Sequence, residues 1–174
     1  PKILKEFIQV AKAKKLTQYP VHLKFNTGLN RLGFWENDVD FIFEQVKDTP
    51  EVKVTSLFSH LAASEDPNEK TFSENQINTF KKIAEALSKK LGHRPMRHML
   101  NTSGVLNYPE AQFEMVRSGI GLYGYGNDKT IDAKLRPVAA LKTIISQIHQ
   151  IEPTETVGYN RAFKSDGYRK TATL

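Results

Sequence analysis

Apolar residues recur every three or four positions in three stretches of the chain, with lysines and other polar residues between them. That spacing places the apolar side chains on one face of a helix and so predicts three amphipathic helices. Asn37 or Asp38 is predicted to cap the second helix. Ser73 and Gln76 have the spacing of a capping box for the third helix, and Gly92 is placed to end it. The predicted buried faces are Ile3, Leu4, Phe7, Ile8 and Ala11; Val39, Ile42, Phe43 and Val46; and Ile77, Phe80, Ala84, Leu87 and Leu91.

Short β-branched or apolar runs lie between and after these helices, at residues 21–25, 52–59, 96–100 and 113–124. Strands that alternate with amphipathic helices predict parallel βα units joined by right-handed crossovers. Four such strands could form half of a closed (β/α)8 barrel or part of an open sheet. Periodicity alone does not choose between these two α/β folds.

The pattern changes after Pro137. Residues 138–151 form a long β-prone run with no helix after it, and residues 157–159 and 169–174 also look extended. We therefore predict a domain boundary near residue 135. Residues 1–135 form the α/β part, and residues 136–174 begin an all-β segment.

Composition excludes several classes of function. The chain has 174 residues, of which 39% are hydrophobic and 25% charged, as in ordinary globular proteins. Its net charge of +6 comes from lysines scattered over helix faces, which favours a solvated surface over nucleic-acid binding. The absence of cysteine excludes disulfides and thiolate chemistry, and no apolar run is long enough for a membrane span. Because the chain begins at Pro1 and ends within a predicted strand, we expect it to be an internal piece of a longer protein.

Unusual polar residues follow each predicted strand of the α/β part. Residues 26–28 with Arg31 follow the first strand, His60 follows the second, residues 101–103 follow the third, and the fourth carries residues 117–120. In a parallel barrel, all these strand ends meet at the face that carries the active site. At that face Thr102 offers a hydroxyl group, and Gly119 and Ile120 offer backbone amides, which suit a phosphate.

Arg117 is the most informative of these residues because it lies within an apolar, glycine-rich run. A guanidinium is rarely buried unless its donors have partners, so one interpretation is a core strand with a structural ion pair. The other is a strand end where a cation and bare amides hold an anionic cofactor.

Each of the other polar residues also has a plain structural interpretation. His60 could be a hydrogen-bonded histidine at a strand end, and Arg31 could pair with Glu36. Residues 101–103 could serve a turn, and Tyr159 could pack in a β-domain core. A cluster of all of them at one edge favours a functional site.

Five segments together resemble alanine racemase, in the order and near the spacing of that family. They are LKFNTGLNRLG at 23–33, FSHLAAS at 58–64, HMLNT at 98–102, MVRSGIGLYG at 115–124 and VGY at 157–159. The resemblance covers nearly the whole chain, and the first and fourth segments are the most specific. It implies the second half of a (β/α)8 TIM-type barrel, followed by the start of an all-β C-terminal domain.

The resemblance also implies a function. Alanine racemase uses pyridoxal 5′-phosphate to interconvert L- and D-alanine for peptidoglycan, and it works as a homodimer in the cytoplasm, with no metal. By this similarity Arg117 faces the pyridine nitrogen of the cofactor. An arginine there donates a hydrogen bond without protonating the ring, which leaves the ring a weaker electron sink.

Further site residues are implied by the same similarity. Asn101, Thr102, Gly119 and Ile120 match positions that hold the cofactor. Arg31 matches the arginine near the cofactor's phenolic oxygen and the substrate carboxylate. Tyr159 matches a catalytic base that reaches the partner subunit's site, and His60 matches the histidine between that tyrosine and Arg117.

Two features depart from the family pattern. The lysine that forms the Schiff base lies on a barrel strand outside this chain, so residues 1–174 alone are predicted to be inactive. Lys24 matches a lysine that is sometimes carbamylated, but Asn26 stands where aspartate is common, which leaves that modification open. Three alternatives remain: a racemase for another amino acid, a non-catalytic barrel that binds pyridoxal phosphate, and a phosphate-binding barrel with another ligand.

Overall fold

The chain folds into two compact units, Pro1–Val138 and Ala139–Leu174, in a computed structural model that describes residues 1–174. The break lies close to the boundary predicted near residue 135. The larger unit contains α1 (Lys2–Ala13), β1 (Tyr19–Lys24), α2 (Val39–Val46), β2 (Val52–Phe58), α3 (Lys70–Leu91), β3 (Met96–His98), α4 (Thr102–Asn107) and α5 (Lys129–Asp132). The smaller unit contains β4 (Gln147–Ile151), β5 (Thr156–Val157), β6 (Phe163–Lys164) and β7 (Arg169–Thr173).

The sheet of the larger unit is parallel, with its strands in the order β1-β2-β3. α2 connects β1 to β2, and α3 connects β2 to β3, so the predicted βα units are confirmed. Strands that pair with their sequence neighbours in this way are arranged as in a segment of an α/β barrel. The carboxyl ends of all three strands therefore lie along one edge.

The predicted amphipathic helices are confirmed by the side chains that they bury, but Ile3, predicted on the buried face of α1, is 80% exposed. α1 buries its face at Leu4, Ile8 and Ala11, and α3 buries a longer face that includes Phe80 and Leu87. These faces pack in one core with the apolar residues of the strands. The buried sheet residues of this core include Leu23, Val52, Val54 and Leu57.

The predicted fourth strand is wrong as a regular strand. Met115 makes only an isolated parallel bridge with His98, and Arg117 donates its backbone N–H to the Leu100 carbonyl at 2.9 Å. Pairing does not continue because the glycine-rich run leaves the sheet and forms a 3₁₀ turn at Ile120–Tyr123. The segment still lies beside β3, and it brings Arg117 to the carboxyl edge of the sheet.

The predicted capping box of the third helix is also wrong. α3 begins at Lys70, after a 3₁₀ turn at Pro67–Glu69 that Asp66 caps through the Asn68 amide. Ser73 and Gln76 therefore lie inside the helix, where both are buried. Gly92 does end this helix, in the left-handed conformation at φ 71°.

The cap of the second helix differs from the prediction in detail. Asp38 precedes α2, but its carboxylate caps no amide of that helix. Instead it accepts a hydrogen bond from the Trp35 N–H at 2.8 Å and so closes the 3₁₀ turn Glu36–Asp38. None of the helices in the chain has the length and apolarity that a membrane crossing requires.

The smaller unit consists of two antiparallel strand pairs, β4 with β7 and β5 with β6. The predicted long strand at 138–151 is wrong, since only Gln147–Ile151 is a strand. Backbone groups join a strand when a neighbour pairs with them, and β7 pairs with residues 147–151 only.

Candidate functional site

The guanidinium of Arg117 lies at the carboxyl edge of the sheet, where β2 and β3 direct their last residues toward it. Its NH1 group donates to Nδ1 of His98 at 2.6 Å. Its NH2 group is directed at three acceptors: the Ser59 carbonyl at 2.8 Å, Nδ1 of His60 at 3.0 Å and the Met99 carbonyl at 3.1 Å. The contact between Arg117 and His60 that the sequence predicted is therefore confirmed.

These contacts determine which nitrogen of each histidine carries the proton. A guanidinium donates hydrogen bonds and never accepts them, so Nδ1 of both His60 and His98 must be an acceptor. Each imidazole is therefore neutral, with its proton on Nε2. In His98 that proton points to the Ser56 hydroxyl oxygen, 3.1 Å away.

Burial and positive charge keep both imidazoles neutral. Burial, followed by the charge of Arg117 and the proximity of His22, lowers the pKa of His98 to about 4. Burial, again followed by Arg117, lowers the pKa of His60. Burial also lowers the pKa of the Arg117 guanidinium, which remains the charged member of the cluster.

Arg117 does not form the structural ion pair of the first interpretation. All its hydrogen-bond partners are imidazoles or backbone carbonyls, and no carboxylate lies within salt-bridge distance. Its guanidinium carbon lies 5.5 Å from the centre of the Phe58 ring, which stacks on His98 at 4.9 Å. The Nε–H of Arg117 makes no hydrogen bond within the chain.

A second group of donors lies beside this arginine, and we call it the amide cluster: Thr102, Ser118, Gly119, Ile120 and Gly121. Oγ1 of Thr102 accepts the amides of Gly119 at 3.1 Å and Gly121 at 3.0 Å. Its own hydroxyl hydrogen is therefore the donor in its long contact with Oγ of Ser118, at 3.5 Å. The Gly119 amide that was predicted to serve a phosphate is thus already bonded within the chain. The amide of Ile120 has no hydrogen-bond partner in the chain.

Glycine is required at one position of the amide cluster. A Cβ atom on Gly121 would lie 2.8 Å from Cγ2 of Thr102, closer than carbon atoms pack. Asn101 precedes the amide cluster and caps α4, because its Oδ1 accepts the Gly104 amide and the Ser64 hydroxyl, each at 2.9 Å. Only the Asn101 side-chain nitrogen is therefore left for the predicted contact with a cofactor.

The loop after β1 is shaped by Asn26. Its Oδ1 accepts the amides of Gly28 and Asn30, and its Nδ2 donates to Oδ1 of Asn30 at 2.9 Å. An ionised aspartate could make the first two bonds but not the third. The loop presents Arg31 on the surface, and Arg31 has no ion pair with Glu36, so that alternative is wrong.

Lys24 links this loop electrostatically to the arginine. Its ammonium lies 5.9 Å from the centre of the Phe58 ring, the same ring that Arg117 approaches. Burial, and then the charges of Arg31 and Arg117, lower the pKa of Lys24. Two cationic residues from the end of β1 and its loop therefore share one electrostatic field with Arg117, from the segment beside β3.

The structure brings most of the predicted site residues together and adds two, His98 and Gln76, that the sequence analysis did not assign to the site. Lys24, Arg31, His60, Thr102, Arg117, Gly119 and Ile120 all lie at or after the carboxyl ends of the sheet. His98 was missed although it opens one of the five family segments, and Gln76 was assigned to a cap. Tyr159 lies in the smaller unit, fully exposed at a 3₁₀ turn, and its contact with His60 stays a prediction.

The fold and the site define a class of protein: α/β barrel proteins, here with a cationic edge at the carboxyl ends of the strands. A family model described as alanine racemase, N-terminal domain, matches residues 2–127. The chain belongs to the alanine racemase family.

Individual relatives agree with this assignment. The chain is 34% identical over 158 residues to the alanine racemase of Clostridium novyi (strain NT), covering 88% of the chain and 41% of that protein. It is 35% identical over 168 residues to the alanine racemase of Treponema denticola, covering 93% of the chain and 44% of that protein. The chain therefore spans less than half the length of these relatives.

Solved structures show the same fold. Alanine racemase from Streptomyces coelicolor A3(2) superposes with a TM-score of 0.77 at 28% identity, covering 98% of the chain and 46% of that structure. Alanine racemase from the D-cycloserine producer Streptomyces lavendulae gives a TM-score of 0.78 at 25% identity, with the same coverage. The larger unit is thus part of an α/β barrel of this family.

Proposed function

We propose that this chain is a segment of an alanine racemase that uses pyridoxal 5′-phosphate to interconvert L-alanine and D-alanine. Family membership and the names of the relatives support the reaction. The observation that carries the proposal is Arg117, because it is held by neutral imidazoles and carbonyls, with no carboxylate, at the strand ends of a barrel. The whole protein would supply D-alanine for peptidoglycan in the cytoplasm.

The residues present fit this cofactor. Pyridoxal phosphate carries a dianionic phosphate and a phenolic oxygen, and the edge carries Lys24, Arg31 and Arg117 with neutral histidines between them. The amide of Ile120 is free to donate to a phosphate, and the hydroxyl of Thr102 has only a long contact of 3.5 Å with Ser118 beside it. When bound, the cofactor withdraws electrons from the amino-acid α-carbon and so makes its hydrogen acidic.

Arg117 would hold the pyridine nitrogen through a hydrogen bond. A guanidinium remains protonated at neutral pH, so it donates this bond without giving up the proton. The electron-withdrawing power of the ring stays moderate as a result. Proton removal and return would then be favoured over reactions that require a long-lived carbanion.

The remaining residues would orient the substrate and carry its proton. Arg31 would hold the substrate carboxylate and the phenolic oxygen of the cofactor. Tyr159 would act as one base, and a lysine outside residues 1–174 as the other. Since Nδ1 of His60 accepts from Arg117, its Nε2–H would donate to the Tyr159 oxygen.

The organisation of the whole protein is part of the same proposal. Residues 1–135 would form the C-terminal half of the cofactor-binding barrel, and residues 136–174 would begin a β-rich domain. The protein would be a homodimer in which Tyr159 serves the partner subunit's site. Lys24 would be open to carbamylation, since burial and two arginines lower the pKa of its amine.

The full-length protein tests the proposal directly. We expect D-alanine to form from L-alanine, and borohydride to fix pyridoxal phosphate on a lysine that peptide mass spectrometry places outside residues 1–174. Serine and arginine as substrates would show whether another amino acid is preferred. A fixed cofactor without any racemisation would identify a non-catalytic barrel, and a protein without the adduct would contradict the proposal.

A further inference from the structure

Gln76 is a fully buried polar residue whose side chain joins two loops of the site. It lies inside α3, only 1% exposed. Its Oε1 accepts the Ala62 amide at 2.9 Å, and its Nε2 donates to the His60 carbonyl and to Oγ1 of Thr27, both at 3.3 Å. One side chain therefore contacts the loop after β2 and the loop after β1.

The hydrogen bonds beyond Gln76 have a defined direction. Ser59 donates its hydroxyl hydrogen to the Phe25 carbonyl at 2.8 Å, so in its 2.8 Å contact with Thr27 the Ser59 oxygen must accept. Thr27 consequently donates to Ser59 and accepts from Gln76. The series of hydrogen bonds runs from Gln76 through Thr27 and Ser59 to the Phe25 carbonyl, directly after β1.

This series of hydrogen bonds passes through a residue that holds Arg117. Ser59 and His60 are adjacent, and the Arg117 guanidinium donates to the carbonyl of the first and to Nδ1 of the second. Gln76 reaches Ser59 through Thr27, and it reaches His60 through the His60 carbonyl. Both neighbours are therefore hydrogen-bonded to groups other than the arginine, His60 to Gln76 and Ser59 to Thr27.

We propose that Gln76 is a positioning residue for His60 and Arg117, and that it sets the orientation of the imidazole in the racemase site. This inference rests on the proposed function for its kinetic consequences. Its structural basis is the hydrogen bond from the Gln76 side chain, on α3, to the backbone carbonyl of His60. Small displacements of such a residue are costly, because about 1 Å of misplacement can reduce a rate by roughly 100-fold.

The charges around His60 make its orientation measurable. Arg117, Arg31 and Lys24 lower the pKa of His60, whereas Glu65 raises it, and burial has the largest effect. An imidazole released from Gln76 would become more exposed and would move away from Arg117. The pKa of His60 would then rise toward its ordinary value.

The experiment compares three variants of the full-length protein. Gln76→Leu removes every hydrogen bond of the side chain. Gln76→Glu keeps the shape and the acceptor for the Ala62 amide, but its carboxylate cannot donate to the His60 carbonyl. Ser73→Ala is the matched control, because Ser73 is buried in the same helix and its side chain makes one long hydrogen bond, of 3.4 Å, to the Ala63 carbonyl.

We expect both Gln76 variants to reduce kcat by about 10- to 100-fold, with a smaller change in KM and a shifted pH profile. In the cofactor-free protein, NMR titration of the His60 signal, assigned with His60→Asn, should show a raised pKa in Gln76→Leu. Ser73→Ala should match the wild type in both measurements. Wild-type kinetics and an unchanged His60 titration in Gln76→Glu and Gln76→Leu would overturn the inference.

The outcomes separate this inference from the proposed function. If the wild-type protein racemises alanine and the Gln76 variants behave like the wild type, only the positioning role is overturned. A change in Ser73→Ala as large as that in the Gln76 variants also overturns it, because general loosening of α3 would then be sufficient. A wild-type protein without racemase activity overturns the proposed function, and the His60 titration still decides whether Gln76 positions the imidazole.

Discussion

Arg117 combines strong fixation with an uncompensated charge. Its partners are neutral, so they orient the guanidinium without neutralising it. A carboxylate partner would hold the arginine equally well but would cancel the charge that an anionic cofactor needs. The use of two imidazoles and two carbonyls therefore favours a binding role over a structural one.

His98 predicts a measurable dependence of stability on pH. Its pKa is about 4 in the folded chain and near 6.5 when unfolded, so between these values only the unfolded chain binds the proton. Stability that is present above pH 6.5 should be lost as the pH falls toward 4. The loss from this residue is about 3 kcal/mol, and urea unfolding of the full-length protein across this pH range measures it.

Two variants show whether His98 is responsible. His98→Gln removes the group with the larger shift, so it should make the dependence of unfolding free energy on pH between 6.5 and 4 shallower, with the remainder from His60. His149→Gln is the control, since His149 is an exposed residue of β4. An equally steep dependence in His98→Gln and in the wild type would contradict the assignment.

The loop after β1 shows how backbone conformation supports the site at the scale of an element. Phe34 donates its amide to the Lys24 carbonyl, and Asn26 donates to the Phe34 carbonyl, so the two ends of the loop are paired. Gly33 allows this approach, with φ at 131° and no side chain. Arg31 lies within the closed loop, and its position depends on that closure.

Substitution of Gly33 should therefore be more damaging than substitution of a glycine in open space. A Cβ atom on Gly33 would lie 2.8 Å from the backbone nitrogen of Asn26 and 2.9 Å from the carbonyl carbon of Phe25. We expect Gly33→Ala to lower the free energy of unfolding by about 2–4 kcal/mol, since conformational strain adds to the clash. It should also raise KM for alanine through Arg31.

Gly92→Ala is the matched control for this prediction. Gly92 also has a positive φ, of 71°, but nothing lies within 4 Å of a Cβ atom there. It should lower the unfolding free energy by about 1–2 kcal/mol and leave KM unchanged. Equal effects of the two substitutions in urea unfolding would show that the close approach at Gly33 is not important.

At the scale of the whole molecule, the proposed site needs parts from beyond the larger unit. Tyr159 lies in the smaller unit with its side chain fully exposed, and the chain spans less than half the length of its relatives. This exposure agrees with the proposal that Tyr159 enters the site of a partner subunit. The dimer would then be a requirement for activity and not only for stability.

Mixed dimers of the full-length protein test this arrangement. One subunit carries Tyr159→Phe and the other Arg117→Leu, and each homodimer alone should be nearly inactive. If Tyr159 serves the partner's site, one site of each mixed dimer is intact. Random mixing should then restore about one quarter of the wild-type activity, since half of the dimers are mixed. No recovery, with mixed dimers confirmed by mass spectrometry, would place Tyr159 in its own subunit's site.

Much of the fold could be predicted because the relevant signals are local. The apolar faces of α1 and α3 follow from the 3.6-residue period, and β1, β2 and β3 follow from short apolar runs between helices. The polar residues after each strand indicated the site for a topological reason, since parallel strands end at one edge. Arg117 could be recognised because a lone arginine in an apolar run requires partners.

Other features depended on residues that meet only in space. Ser73 and Gln76 have the spacing of a capping box, yet the helix starts earlier, and Gln76 bonds loops far from it in sequence. His98 became part of the site because Arg117 donates to it across 19 positions. Periodicity and residue type thus determined the elements and the edge where the chemistry lies. The folded structure decided which donors meet which acceptors, because a hydrogen bond depends on distance and direction between groups that the sequence does not place side by side.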